Sequence, residues 1–153
     1  MRLQKATEFA LYAVLELAAD PQRQLTALDI ADKYGISAHH LAKVLRDLGR
    51  AGLVAAVRGV GGGYRFAGNA KRLTLLDVVR LFEDVGSDAA ASPRPPGPAI
   101  AEGLRFVLAE IDAQTVATLR SISLATMLKL AAHRPWEGTT DLHPPRRAAS
   151  RAR

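Results

Sequence analysis

The sequence predicts a mainly α-helical fold with a small β-hairpin wing: a winged helix-turn-helix domain followed by a long dimerisation helix. Three observations predict it. Two amphipathic helical segments are separated by only a few residues around Gly35. A glycine-rich stretch, Arg58 to Gly63, lies between two short strand-like runs. After a Pro-rich segment, an apolar stripe beginning at Ile100 recurs at nearly heptad spacing.

The elements can be justified in order. Ala6, Phe9, Ala10, Ala13, Val14 and Leu17 fall on one helical face, and Asp20-Pro21 ends that helix. A short helix from about Ala27 to Lys33 follows, with Gly35 as its C-cap. Four helix starts share one local pattern, an apolar residue, then Ser or Thr, then a second apolar residue four further on. They are Leu25-Thr26 with Ile30, Ile36-Ser37 with Leu41, Leu73-Thr74 with Val78, and Ile122-Ser123 with Met127. The hydroxyl is expected to cap free backbone N–H groups, and the apolar pair to close as a staple. Thr26 with Asp29, and Thr74 with Asp77, resemble capping boxes. The helix from Ala38 to about Arg50 points Leu41, Val44, Leu45 and Leu48 inward. It points His39, His40, Lys43, Arg46, Asp47 and Arg50 outward. Gly52 stops it. Strands are expected over Leu53–Val57 and Tyr64–Phe66, and a fourth helix over Leu75–Val85. Residues 1–85 then form the winged domain, and 86–99 a Pro- and Ala-rich loop. Residues 100–133 supply a dimerisation helix, with the stripe Ile100, Leu104, Val107, Ile111 and, less regularly, Leu119, and a short C-terminal helix. Residues 134–153 read as a disordered basic tail.

Composition narrows the function classes. Of 153 residues, 48% are hydrophobic, enough for a real core. No apolar run is long enough to span a bilayer, so no membrane association is expected. Glu8 and Glu16 interrupt the stretch after Arg2 and Lys5, which reads as an amphipathic helix rather than a signal peptide, and the protein as soluble and cytoplasmic. The net charge is +6, made of +3 in residues 1–85, zero over 86–133 and +3 in 134–153. A basic balance favours an acidic partner such as nucleic acid, though a solvated surface gives the same count. There is no cysteine. Disulfides, thiolate metal sites, cysteine nucleophiles and all-cysteine iron–sulfur ligation are excluded.

Two segments could carry function. On the outward face of the second motif helix, His39 and His40 can exchange hydrogen bonds with base edges or phosphates, and Lys43, Arg46 and Arg50 suit phosphates. The alternative is a charged solvent face. Adjacent helical positions diverge, so the two histidines make a poor metal site. In the wing, Gly61 and Gly62 allow close approach to a ligand, with Tyr64 following and Arg58 at the base, beside the DNA backbone or in a minor groove. The alternative there is a plain flexible turn. A nucleotide-phosphate loop fails, because Tyr64 stands at the third glycine position of the dinucleotide fingerprint, no helix opens there, and no lysine follows in Walker spacing. His133 and His143 flank Pro135 and Trp136, which read as a loose tail with one docked indole; the alternative is a ligand-sensing segment. No nucleophile–base–acid order or paired-carboxylate site stands out, so no enzyme is expected.

With those residues in view, the chain resembles the Rrf2 family, the group of IscR, NsrR, RirA and CymR. The resemblance rests on Met1-Arg2-Leu3, Tyr12-Ala13-Val14, Tyr34-Gly35-Ile36-Ser37, Gly52-Leu53-Val54 and above all Val57-Arg58-Gly59-Val60-Gly61-Gly62-Gly63-Tyr64. It covers roughly residues 1–133. It implies a winged-helix homodimer on operator palindromes. It implies that residues around Ser37, His39 and His40 enter the major groove and Arg58 the minor groove, with the helix from Ile100 to Leu119 crossing its symmetry mate. Many relatives carry three cysteines in the loop before that helix and hold an iron–sulfur cluster there. Here the loop runs from Ser87 to Pro98 without cysteine or histidine. The resemblance is therefore to a cluster-free branch, expected to need no cofactor and to answer to a small molecule or a protein partner. The rival expectation is a winged helix that binds protein and ignores DNA. Basic residues on the motif helix and the wing favour double-stranded DNA.

Overall fold

Leu17, Leu41, Leu45 and Leu48 have no solvent exposure. They seat three helices on one another: α1 (Lys5–Ala19), α2 (Ala27–Tyr34) and α3 (Ala38–Arg50). Each such leucine stabilises the fold by about 1.5–3 kcal/mol relative to an exposed one. The chain continues through β1 (Val54–Val57), β2 (Gly63–Phe66), α4 (Leu75–Val79), α5 (Ala99–Ser121) and α6 (Leu124–His133). This computed structural model describes residues 2–86 and 95–133. The segment 87–94, most of the Pro-rich loop, and the tail from Arg134, with Trp136 and His143, lie outside the described residues.

The helix starts follow the capping chemistry at three of the four motif positions. Thr26 and Thr74 each form a full capping box, with Asp29 and Asp77 returning the bond to the cap backbone N–H at 2.8 Å. Ser37 does not: it is the N-cap of α3, but its hydroxyl makes no capping bond. The residue three positions on is His40, which offers no carboxylate, so no capping box can form there. At α6, the Thr126 N–H donates to Ser123 Oγ at 3.1 Å.

The helix expected over Leu75–Val85 ends at Val79. Beyond it, the N–H groups of Leu81 and Phe82 turn back to the carbonyls of Val78 and Val79 at 3.2 and 3.0 Å, a tighter winding than the α-helix. The tightened turn delivers Glu83 to the start of α1. There its carboxylate accepts from Thr7 Oγ1 at 2.6 Å and from the Gln4 N–H at 2.8 Å. Among the described residues, Thr7 is the only buried polar side chain, and this bond satisfies it.

A second polar clasp joins α1 to α2. Lys33 Nζ reaches Glu16 Oε1 at 2.6 Å, Tyr34 donates its hydroxyl to the same oxygen, and the Tyr34 ring stacks on Tyr12 with centroids 4.6 Å apart. Burial pushes the Glu16 carboxyl up, but the bonds from Lys33 and Tyr34 outweigh it and hold Glu16 below the ordinary carboxylate range. Burial, then the Glu16 bond, pushes Tyr34 well above the usual phenol range.

The hairpin is antiparallel, with Val54 opposite Phe66 and Val57 opposite Gly63. Leu25, just before α2, joins its edge: Leu25 and Tyr64 exchange both backbone bonds, at 3.0 and 2.8 Å. The wing is thereby tied to the start of the helix-turn-helix. At the other end, α5 packs on α4, and α6 returns to α1, carrying Leu124 fully into the core. Leu124 N–H donates to the Leu73 carbonyl at 2.8 Å, and Leu75 N–H to the Ile122 carbonyl at 2.9 Å, stitching this return to the start of α4. Among the described residues, no helix is long and apolar enough to cross a membrane.

Candidate nucleic-acid interface

The inward residues of α3 are Leu41, Val44, Leu45 and Leu48, spaced i, i+3, i+4 and i+7, and all are buried. That spacing fixes the rotation of the helix, and so what it shows to solvent. His39, His40, Lys43, Arg46 and Arg50 are all exposed, as is Ser37 at its N-cap. Asp47 is half-buried and lies 3.6 Å from Arg50 Nη1, an exposed pair that contributes little to stability. The two histidine rings stand 6.1 Å apart and tilted by 52°, so their nitrogens do not converge. Among the described residues, no group of three or more His, Cys, Asp or Glu is placed to hold a metal ion.

Between α3 and the hairpin runs a groove lined by Arg46 and Arg50 on one side and by Ala55, Ala56 and Tyr64 on the other. Two arginines thus face two alanines and Tyr64 across it. Beyond the groove, the wing turns through residues 58–62. Arg58 is exposed at its base. Gly61 adopts φ +76°, a conformation that L side chains rarely reach, and the Gly62 N–H closes the turn on the Gly59 carbonyl at 2.9 Å. Gly63 answers a different need. A Cβ there would lie 2.7 Å from the Leu25 carbonyl oxygen, so the Leu25–Tyr64 bridge leaves no room for a side chain. Tyr64 is half-buried and packs against the core, so its backbone and part of its ring serve the base of the wing.

Sequence reasoning missed two residues at this surface. Val60 stands fully exposed at the wing tip. Its only signal was an apolar residue set among glycines. Lys5 of α1 lines a depression shared with Ser37, His40 and Lys43. Nothing local to Lys5 marks that placement, because it depends on how α1 crosses α3.

A helix-turn-helix with a cationic outer face on its second helix, beside a glycine-tipped hairpin, defines a winged-helix nucleic-acid-binding protein. Residues 3–130 match the Rrf2 family, described as iron-dependent transcriptional regulators. BadM of Rhodopseudomonas palustris, which carries the name of an HTH-type transcriptional regulator, is 58% identical over 133 residues, covering 85% of this chain and 83% of BadM. Among solved structures, IscR of T. potens superposes with a TM-score of 0.67 at 26% identity, over 88% of this chain and 92% of IscR. CymR of B. subtilis, described as its global cysteine regulator, gives 0.70 at 23% identity, over 85% of this chain and 98% of CymR, a likeness of fold. The chain belongs to the Rrf2 family of transcriptional regulators. Its relatives are regulators of transcription and not enzymes, and its partner is DNA.

Proposed function

We propose that the protein is a homodimeric repressor, acting in the cytoplasm, that binds a palindromic operator without an iron–sulfur cluster. The observation that carries this reading is the solvent-facing cationic face of α3 beside the hairpin groove. In this reading residues 1–85 are the DNA-binding unit. Ser37, His39 and His40 read base edges, and Lys43, Arg46 and Arg50 hold phosphates. Arg58, Gly61, Gly62 and Tyr64 present the wing to the backbone and the adjoining minor groove. Residues 86–99 connect to a dimerising segment, 100–133, and 134–153 form a basic tail.

Dimerisation is supported by the state of α5. None of its 23 residues is buried. Ile100, Leu104, Val107 and Ile111 are 89, 59, 52 and 55% exposed, with Phe106 at 73% beside them. Leu119 is half-buried, at the end that meets the winged domain. So much contiguous apolar surface marks an interface, and a two-fold axis lets one helix cover its own copy.

The family's iron does not fit this chain. Cluster ligation relies on thiolates, and the sequence has no cysteine. Regulation therefore passes through another signal, a small molecule or a protein.

Selection of binding sites from random duplexes tests the reading. The expected product is a palindrome with half-sites about one helical turn apart, or a multiple of it. Affinity should fall steeply with salt. Protein purified in air should be colourless and active, and anaerobic reconstitution with iron and sulfide should leave its affinity unchanged. Recovery of no enriched sequence would favour the protein-binding alternative. A stoichiometric chromophore that alters operator affinity would refute cluster independence.

A further inference from the structure

Between the start of α1, the turn before α3 and the turn after α4 lies a half-enclosed groove of about 610 Å³. Its floor is apolar: Phe9 of α1, Ile36 of the turn, Val44 of α3, and Phe82, which the early end of α4 swings into place. Its rim carries two cations, Lys5 and Lys43, with the imidazole of His40 beside them. The carboxylate at the rim, Asp47, sits 3.6 Å from Arg50 Nη1, so its charge is partly offset from the far side. The volume falls in the range of small-ligand sites, and an apolar floor with a few polar groups at one edge is their usual construction. A DNA phosphate would use the rim alone. Phenyl rings and a valine methyl offer it no hydrogen bond, so the floor is unexplained by nucleic-acid contact.

We propose that this groove binds a small amphipathic anion, an apolar body with one carboxylate, and that its occupancy opposes DNA binding. The apolar body lies on Phe9, Phe82, Ile36 and Val44, and the carboxylate meets Lys5 and Lys43. Lys43 is on the face of α3 assigned to DNA, with His40 beside it, so the ligand's head group draws on a cation that the operator also uses. The negative charge it brings repels the phosphate backbone. The regulatory half rests on the reading of α3 as the recognition helix, and the binding half does not.

The probe is 8-anilinonaphthalene-1-sulfonate, an amphipathic anion that fluoresces in apolar sites, with octanoate as competitor. Octanoate should displace it from the full chain, whereas octanol and inorganic phosphate at equal concentration should displace it weakly. Ala6 lines the groove and is half-exposed, so Ala6→Phe fills it without emptying the core. That variant should lose probe binding and keep its unliganded affinity for the selected operator. Lys5→Gln should weaken octanoate by about threefold to tenfold and leave octanol unchanged. Saturating octanoate should weaken operator binding by about 5- to 150-fold in the wild type and not in Ala6→Phe.

Displacement that is undiminished in a folded Ala6→Phe, or equal for octanoate and octanol in both proteins, would overturn the site. Octanoate binding with unchanged operator affinity would overturn the competition. A wild type that binds no DNA fails the proposed function, while the displacement assay still reads the groove.

Discussion

Arg58 and Gly63 lie five positions apart in one motif, yet they answer to different physics. Arg58 is exposed at the base of the wing, where its guanidinium is free to follow a minor groove or a phosphate. Arg58→Ala should weaken specific DNA binding by about 1–3 kcal/mol with the circular dichroism spectrum unchanged. An unaltered dissociation constant at moderate salt would remove Arg58 from the interface. Gly63 is held by its neighbour: the Leu25 carbonyl oxygen sits 2.7 Å from where a Cβ would be. Backbone cannot swing aside as a flexible side chain does, so Gly63→Ala should destabilise the fold by about 1–3 kcal/mol. Thermal unfolding reads that as a drop of several degrees in Tm, and an unchanged Tm would show that the Leu25–Tyr64 bridge yields freely.

At the scale of the element, two hydroxyls at helix starts have been given different work. Thr74 is locked in a capping box at α4, the short helix on which α5 rests. Thr74→Ala should cost about 1 kcal/mol of stability. Ser37 occupies the equivalent place on α3 and bonds nothing there. Ser37→Ala should therefore change stability by less than about 0.5 kcal/mol. If its hydroxyl meets DNA, operator affinity should fall by about 0.5–1.5 kcal/mol. Denaturant melts and binding isotherms on both variants separate the roles. A Ser37→Ala protein as destabilised as Thr74→Ala would mean that the cap forms after all. The two amphipathic helices of the motif, and their inward faces, were legible because the spacing of apolar residues fixes a helix's rotation without help from its surroundings. The true end of α4 was not. Val85 continues the apolar pattern, and the bonds that Thr7 and Gln4 make to Glu83 just past the helix end join segments more than seventy residues apart, which no local spacing shows.

For the whole molecule, the decisive feature is a long helix whose apolar side is left uncovered by the described residues. Leu104→Arg together with Ile111→Arg places two charges in the stripe. This should yield monomers by light scattering, with poor affinity for a palindromic site, because each half-site then binds alone. A dimer that persists would place the interface elsewhere. The winged domain should survive the change, since its core draws on α1, α3 and Leu124 and on none of the altered positions.

What the sequence determined alone was the set of elements and their faces, the glycine-tipped wing, and the chemistry it lacks. Those follow from periodicity, from turn residues and from the absence of cysteine, all of which are local or compositional. Tertiary structure alone decided how distant segments meet. It brought Leu25 against Tyr64, which gives Gly63 its reason, and set Glu83 beneath Thr7. It also gathered Lys5, Phe9, Val44 and Phe82 around one groove. No spacing rule reaches across those separations. Such contacts arise only when the helices cross at the angles that the packing of Leu17, Leu41, Leu45 and Leu48 imposes.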